Sequence, residues 1–561
     1  MTLNRRVQIV LLLLTVASLM LVASGAAEWL LILLLVLLLL LLLWWLFGSK
    51  EEEEEDRGTS RPSPDYPPEQ LFVREEVVVR GPVAAVTRAV NAVNGSIILT
   101  RVDRIDFSEL DEAVRGCLND CAPTDFNSFV IDLYKLTGSE RDVAVAIQAI
   151  HRLVGRGSDV RAEPNWLSGH PWDPIGSPWD PIGSPWDPIG SSLTESQNAP
   201  GSLFLEQWAF EQIGLRSNED QSRGLGVRIG VMDTSPFALE GDTLTDQLLP
   251  WVAEPTPLTV DVRHYPTPAL ADKEINLSNH GLFAAGLVHA LAPQADIQLI
   301  RVLNENNKGT LFTLNKAIFE FIKDNAPNQQ PEGQLGAVIN MSLGIRVPPD
   351  EAGYNLPVEV QSLRDMLQAA HCAQIVVIAA AGNESANKSL PEPANLPANW
   401  PEIIGVAGSN RRTGRACFSN QGDLAAPAGD GRPDEKNESQ CVPGNDVCDN
   451  KDCDYSVVGP IIKTDENTGF LYWSGTSFAA PMVSGLAALV IEKGNGQLSP
   501  AVVRHIIECG VIRAEDKDGY MGKGIIHVAN TMARFGECLA ELGITLDVPT
   551  QQSAEEGAAY K

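Results

Sequence analysis

With 561 residues the chain is long enough for more than one buried core, and outside its N-terminus the composition is that of an ordinary globular protein. Its formal charge of −30 at pH 7 is the opposite of the basic footprint that a nucleic-acid partner demands, which excludes that class. Nine cysteines, an odd number, leave at least one thiol free or paired outside the chain and do not settle the redox compartment.

Residues 1–48 hold two apolar runs, 7–23 and 29–47, each about the length of a membrane-spanning helix. The pair predicts a transmembrane hairpin, a multi-pass anchor. Arg5 and Arg6 keep the N-terminus in the cytoplasm, and two spans return the chain to that side near Lys50. A second reading makes the first run a signal peptide cut near Ser24-Gly25-Ala26, with the second run a lone anchor; only a single span with its N-terminus inside exports the rest. Residues 49–70, rich in proline and charge, read as a disordered linker.

A small α+β domain is predicted over 71–166. It has a strand at 76–80 and a helix at 82–94, with Val86, Val90 and Val93 on one face and Gly95 ending it. Strands follow at 97–99 and 129–134. Ser139 to Asp142 reads as a capping box opening a helix that carries Val143, Ile147 and Ile150, and a last strand over 159–165 is stopped by Pro164. The β-α-β-β-α-β order implies a split βαβ sandwich. Residues 167–200 contain three identical copies of Pro-Trp-Asp-Pro-Ile-Gly-Ser, 171–191, a semi-extended linker or a binding tract for a partner.

From 201 to 535 short apolar runs alternate with helical patterns. The runs at 227–232, 297–303, 337–343, 375–381 and 403–407 are nearly continuous, as in strands buried on both faces of a parallel sheet. Helices beginning near Gly281, Thr313, Val358, Ser477 and Pro500 supply the crossovers. The fold class is therefore α/β, a doubly wound, mostly parallel sheet with its site at the carboxyl ends of the strands; 536–561 form a C-terminal tail.

Within this frame Ser474-Gly475-Thr476-Ser477-Phe478-Ala479-Ala480-Pro481 joins a loop to a helix of small residues, placing Ser477 at a helix start with Pro481 in the first turn. A serine hydroxyl becomes a nucleophile only beside a base, and the base needs an acid to fix its tautomer. Asp233 directly follows the first apolar strand and His280 opens a small-residue helix. Asn383 stands just past a buried strand, where its amide suits a developing oxyanion.

Asp233-Thr234, His280-Gly281 with Ala285-Gly286, the run 338–344, Ala380-Ala381-Gly382-Asn383 and the segment from Gly475 to Pro481 together resemble the motif set of the subtilisin-like serine proteases, in that family's order Asp, His, Ser. The resemblance spans about 202–532, and the small domain before it is similar to the family's inhibitor-like propeptide. It implies a serine endopeptidase acting on polypeptides, made as a zymogen that cleaves itself and is inhibited by its own propeptide. Asp233 would orient His280, His280 deprotonate Ser477, and Asn383 with the Ser477 N–H hold the oxyanion. Ser342, Leu343 and Gly344 would pair with an extended substrate, and Glu384 would lie near the first side-chain pocket.

Three departures from the family pattern stand out: Ser235 replaces a glycine, Leu282 and Phe283 replace a Thr-His pair, and Met482 replaces a histidine. No cofactor is required for the chemistry. Structural calcium, frequent in the family, would suit the oxygen ligands of Asp446, Asp449, Asp452 and Asp454 between Cys441 and Cys453; the same stretch also reads as a solvated acidic loop with a local disulfide. A silent peptide-binding scaffold is the rival reading, which the intact Asp233, His280, Ser477 and Asn383 oppose. A lipase-type hydrolase lacks its Gly-x-Ser-x-Gly.

Overall fold

A computed structural model describes residues 72–121, 124–155, 157–169, 204–236, 258–268, 277–345, 360–385, 390–430, 455–462, 469–514 and 519–546. The apolar runs of 7–47, the 49–70 linker, the Pro-Trp-Asp-Pro-Ile-Gly-Ser repeats and the acidic loop of 441–454 lie outside the described residues. Among the described residues no helix is long and apolar enough to cross a membrane.

The small domain runs β1 (Phe72–Pro82), α1 (Val83–Ala92), β2 (Leu99–Asp106), α2 (Glu112–Cys121), β3 (Phe129–Leu136), α3 (Val143–Val154) and β4 (Arg161–Gly169). Its antiparallel order β4-β1-β3-β2 is that of a split βαβ sheet. Four local expectations need correction. The order contains one further helix, α2, whose apolar stripe is thin, Val114 and Leu118 being its buried residues. β2 starts where the 97–99 strand was expected to end, because it is an edge strand held partly by charge. Arg104 reaches the buried Asp132 of β3 with Nε at 2.7 Å and Nη2 at 2.8 Å. α3 is capped by the last residue of the expected box, since Asp142 Oδ1 accepts the Val145 N–H at 3.1 Å. Pro164 does not stop β4: it lies opposite Val77 where the β1 register shifts, a bulge position at which a missing N–H is tolerated.

The large domain opens with α4 (Trp208–Gln212) and β5 (Val227–Asp233), followed by β6 (Asp261–His264), α5 (His280–Leu291), β7 (Asp296–Arg301), β8 (Gly309–Thr310) and α6 (Leu311–Asn325). Next come β9 (Gly336–Met341), β10 (Gly344–Ile345), α7 (Gln361–Cys372), β11 (Val376–Ala380), β12 (Ile404–Ser409) and β13 (Leu424–Pro427). A hairpin, β14 (Val457–Pro460) and β15 (Phe470–Trp473), precedes α8 (Thr476–Lys493) and α9 (Pro500–Cys509). α10 (Val528–Ala533) and α11 (Phe535–Glu541) follow, with Cys509–Cys538 bridging α9 to α11.

Seven strands form a parallel sheet in the order β13-β12-β11-β9-β5-β7-β6. The chain passes to opposite sides of β5, so the carboxyl ends of β5, β9 and β11 meet at a switch point, where such sheets place their sites. Alternate residues of each strand feed two cores. Val227, Ile229 and Val231 pack with α5 and α8, whereas Met232, Ile339 and Val377 pack with α6, α7 and the small domain. Both faces are covered, which is why these strands read as unbroken apolar runs.

The two domains share more than a core. β4 continues into the large domain, where Leu167 and Ser168 pair with Thr310 and Gly309, and Ser168 and Gly169 pair with Ile345 and Gly344. α7 is the main docking helix. Glu163 accepts the N–H groups of Gln361 at 3.0 Å and Ser362 at 2.9 Å, satisfying donors at the helix start. Arg80 holds Asp365 with Nε at 2.6 Å and Nη2 at 2.8 Å, and Cys372 at the helix end is disulfide-bonded to Cys117 of α2.

Candidate active site

Asp233 is the last residue of β5 and is fully buried, as are His280 and Ser477. Its carboxylate meets His280 Nδ1 at 3.0 Å through Oδ1 and 3.1 Å through Oδ2, and Oδ1 also accepts the Thr234 N–H at 2.6 Å. The approach depends on Gly281: a Cβ there would meet the Thr234 carbonyl oxygen at 2.2 Å and the Asp233 Cβ at 2.9 Å. Ser235, standing where the resembling family has glycine, has no positive φ, so the turn behind Asp233 imposes no demand for glycine.

His280 is the first residue of α5, and its ring sits in an aromatic cluster with the Trp473 ring at 5.1 Å and the Phe478 ring at 4.9 Å. Phe283, one of the departures from the family pattern, completes the cluster against Phe478 at 4.4 Å. Complete burial pushes the imidazole pKa well below its ordinary 6.5, which keeps the ring neutral. With Nδ1 on the carboxylate, Nε2 is the nitrogen left to act as base.

Ser477 is the second residue of α8, where backbone N–H groups have no intrahelical acceptor. Pro481 lies in the second turn, not the first, and this has a structural consequence. A residue there would normally donate to the Ser477 carbonyl four positions earlier; proline has no N–H, and Ser342 Oγ donates to that carbonyl instead, at 2.7 Å. In return Ser477 Oγ donates to the Ser342 carbonyl at 3.2 Å. Asn340 Nδ2 donates to Ser342 Oγ at 3.0 Å, and Ser484 Oγ donates to Asn340 Oδ1 at 3.0 Å. A buried polar chain thus fixes the serine from the β9 side.

Asn383 is oriented by its oxygen. Oδ1 accepts the Thr476 N–H at 3.0 Å and the Thr476 hydroxyl at 2.9 Å, which makes Nδ2 the opposite, donating end of the amide. Glu384 is buried beside it, and its two oxygens accept from Asn395 Nδ2 at 2.7 Å and Asn420 Nδ2 at 2.6 Å. In these contacts it braces the Asn383 loop. Gly382, at φ 114°, gives this bracing room, since a Cβ would lie 2.4 to 2.5 Å from Asn420, Asn395 and Glu384. Of the expected strand-pairing segment, Gly344 is in a ladder, opposite Gly169 of β4; Leu343 is buried and Ser342 binds Ser477.

Asp233, His280, Ser477, Asn383 and Ser342 therefore converge at the carboxyl ends of β5, β9 and β11. The supports Thr234, Asn340, Thr476 and Ser484 were not singled out from sequence, although each lies within or beside a stretch that was.

Residues 224–518, more than half of the chain, match the model of the subtilase family, peptidase S8. The chain belongs to that family and is a serine protease, a hydrolase. It is 26% identical over 290 residues to an intracellular serine protease of Paenibacillus polymyxa, covering 49% of this chain and 70% of that one. To subtilisin E of Bacillus subtilis strain 168 it is 28% identical over 263 residues, covering 45% of this chain and 55% of the relative. Among solved structures, fervidolysin from Fervidobacterium pennivorans, a keratinolytic enzyme related to subtilisin, superposes with a TM-score of 0.50 at 17% identity over 87% of this chain and 63% of that chain, a likeness of fold alone.

Proposed function

We propose that the chain is a serine endopeptidase made as a membrane-tethered zymogen that cleaves itself. The observation that carries the catalytic part is the buried Asp233–His280 pair, 3.0 Å apart, with the His280 ring 4.9 Å from that of Phe478, the residue that follows Ser477 at a helix start. Asp233 holds the imidazole with Nδ1 as donor, and Nε2 takes the Ser477 proton as Oγ attacks the peptide carbonyl carbon. The oxyanion that forms accepts from the Ser477 N–H and Asn383 Nδ2; as the intermediate collapses, the same imidazolium protonates the departing amine, and water repeats the sequence on the acyl-enzyme. No cofactor enters these steps. Polypeptides are the substrate class, because the edges at β8 and β10 accept an extended strand between them.

The same two edges support the zymogen reading. β4 fills them from within the chain, so the small domain acts as propeptide and intramolecular inhibitor, and substrate entry requires its departure. Residues through Gly169 are held in the ladder, which puts the cut beyond it, within 170–203. Residues 7–47 supply the anchor in this reading. The disulfides Cys117–Cys372 and Cys509–Cys538 favour an oxidising compartment for the catalytic domain, against the cytoplasmic side expected from charge. A single crossing with the N-terminus inside meets both conditions.

Processing tests the proposal. Wild type is expected to yield a catalytic-domain fragment with a new N-terminus within 170–203, whereas Ser477→Ala stays full length. If the purified Ser477→Ala chain, free of other proteases, is cut at the same place, the processing is not its own.

A further inference from the structure

The disulfide between Cys117 and Cys372 crosses from one domain to the other, joining residues 255 apart in sequence. It does so beside a third sulfur. Cys117 and Cys121 lie four residues apart on α2 and so share a face of that helix. Cys372 ends α7, which packs against α2. The sulfurs of all three lie within 4.8 Å of one another, and Cys121 is a free, exposed thiol. Three thiolates are one ligand short of a closed zinc site, and two of these sulfurs are already bonded to each other.

We propose that these cysteines form an internally opened latch, a covalent tie between the small domain and the catalytic domain that Cys121 undoes by thiol–disulfide exchange. The Cys121 thiolate attacks Cys117 Sγ; a Cys121–Cys117 bond forms, the Cys117–Cys372 bond breaks, and Cys372 leaves as a thiolate that takes up the proton Cys121 gave. One disulfide is consumed and one made, so no external oxidant or reductant is needed. Residues four apart on a helix have Cα atoms about 6 Å apart, inside the range a disulfide spans, but Cβ atoms about 5 to 6 Å apart, beyond it, so the product forms as the last turn of α2, which ends at Cys121, opens. Attack at Cys117 rather than Cys372 gives the lasting product, since Cys117 and Cys121 stay on one helix after the domains part, whereas a Cys121–Cys372 bond needs them together.

The tie has a consequence for processing. A cut within 170–203 severs the peptide chain between the domains but leaves the disulfide, so the cut alone does not release the small domain. That this release also switches on activity rests on reading the small domain as propeptide; the latch itself does not.

The test uses the detergent-solubilised full chain carrying Ser477→Ala and a site for an unrelated protease placed among the 171–191 repeats. After that cut and an acid quench, the fragments are expected to run as one species on a non-reducing denaturing gel and as two when reduced; two species at once without reductant would overturn the tie. Held at pH 8 in mild denaturant without reductant, the cut protein is expected to separate at least about tenfold faster than the same chain with Cys121→Ser, and mass spectrometry of the freed small domain to find a Cys117–Cys121 bond. Equal rates, or no such bond, would overturn the role of Cys121. In the parallel chain with Ser477 intact, separation without a gain in peptidase activity would sink the propeptide reading and leave the latch standing.

Discussion

The serine at the centre of this site is placed by what a neighbouring residue lacks. Pro481 withdraws a donor from the Ser477 carbonyl, and Ser342 supplies one from a different element, so Ser477 and the segment after β9 are tied by reciprocal hydrogen bonds. Asn383 is fixed in the same manner, with its oxygen spent on Thr476 and its nitrogen left as the donating end. Replacing Asn383 by alanine should therefore slow turnover by roughly two to three orders of magnitude while KM changes little, because the donor acts on charge present only in the transition state. Steady-state kinetics on a peptide substrate check this, and an unchanged kcat would remove Asn383 from the mechanism. Asp233, His280, Ser477 and Asn383 were legible in sequence because each stands where an apolar run ends or a helix begins. Asn340 and Ser484 were not, since they act through hydrogen bonds between β9 and α8, which no local spacing announces.

Legibility falls off with charge at the level of strands and helices. The five long strands of the parallel sheet were readable from unbroken apolar runs, whereas β2, β6 and α2 carry charge on narrow apolar stripes and were misplaced or missed. β4 was read as ending in proline because its partners lie in another domain, and no sequence pattern supplies them. The contact of β4 with α7 leads to a pH prediction. Burial raises the pKa of Glu163 from about 4.5 to about 7, opposed by the N–H bonds at Ser362 and by Arg80 and assisted by Asp365. The docked state therefore prefers the protonated carboxyl. Its contribution to docking is complete below about 4.5 and is lost as the pH rises through about 7, weakening the association by roughly two orders of magnitude. Dissociation of the linker-cut, reduced protein measured from pH 5 to 8 should show this slope, and Glu163→Gln should flatten it. A variant that keeps the full slope would assign it to another group.

For the whole molecule, the order of parts governs release. The apolar runs precede the small domain, and the small domain precedes the catalytic domain, so a cut within 170–203 followed by opening of the Cys117–Cys372 bond separates the catalytic domain from any anchor at 7–47. For the proposed anchored form, labelling at Lys50 reads the side of the membrane directly. With the disulfides favouring an oxidising compartment, an external signal is expected there, and a cytoplasmic signal would restore the two-span hairpin. The central claim, that Ser477 is the nucleophile of a serine protease held closed by its own small domain, is tested most directly by a fluorophosphonate probe applied to the full chain before and after the small domain is removed. The account predicts no label on the closed chain, stoichiometric label mapped by mass spectrometry to Ser477 after removal, and none in Ser477→Ala. Labelling of another residue, or no labelling of the opened wild type, would contradict it.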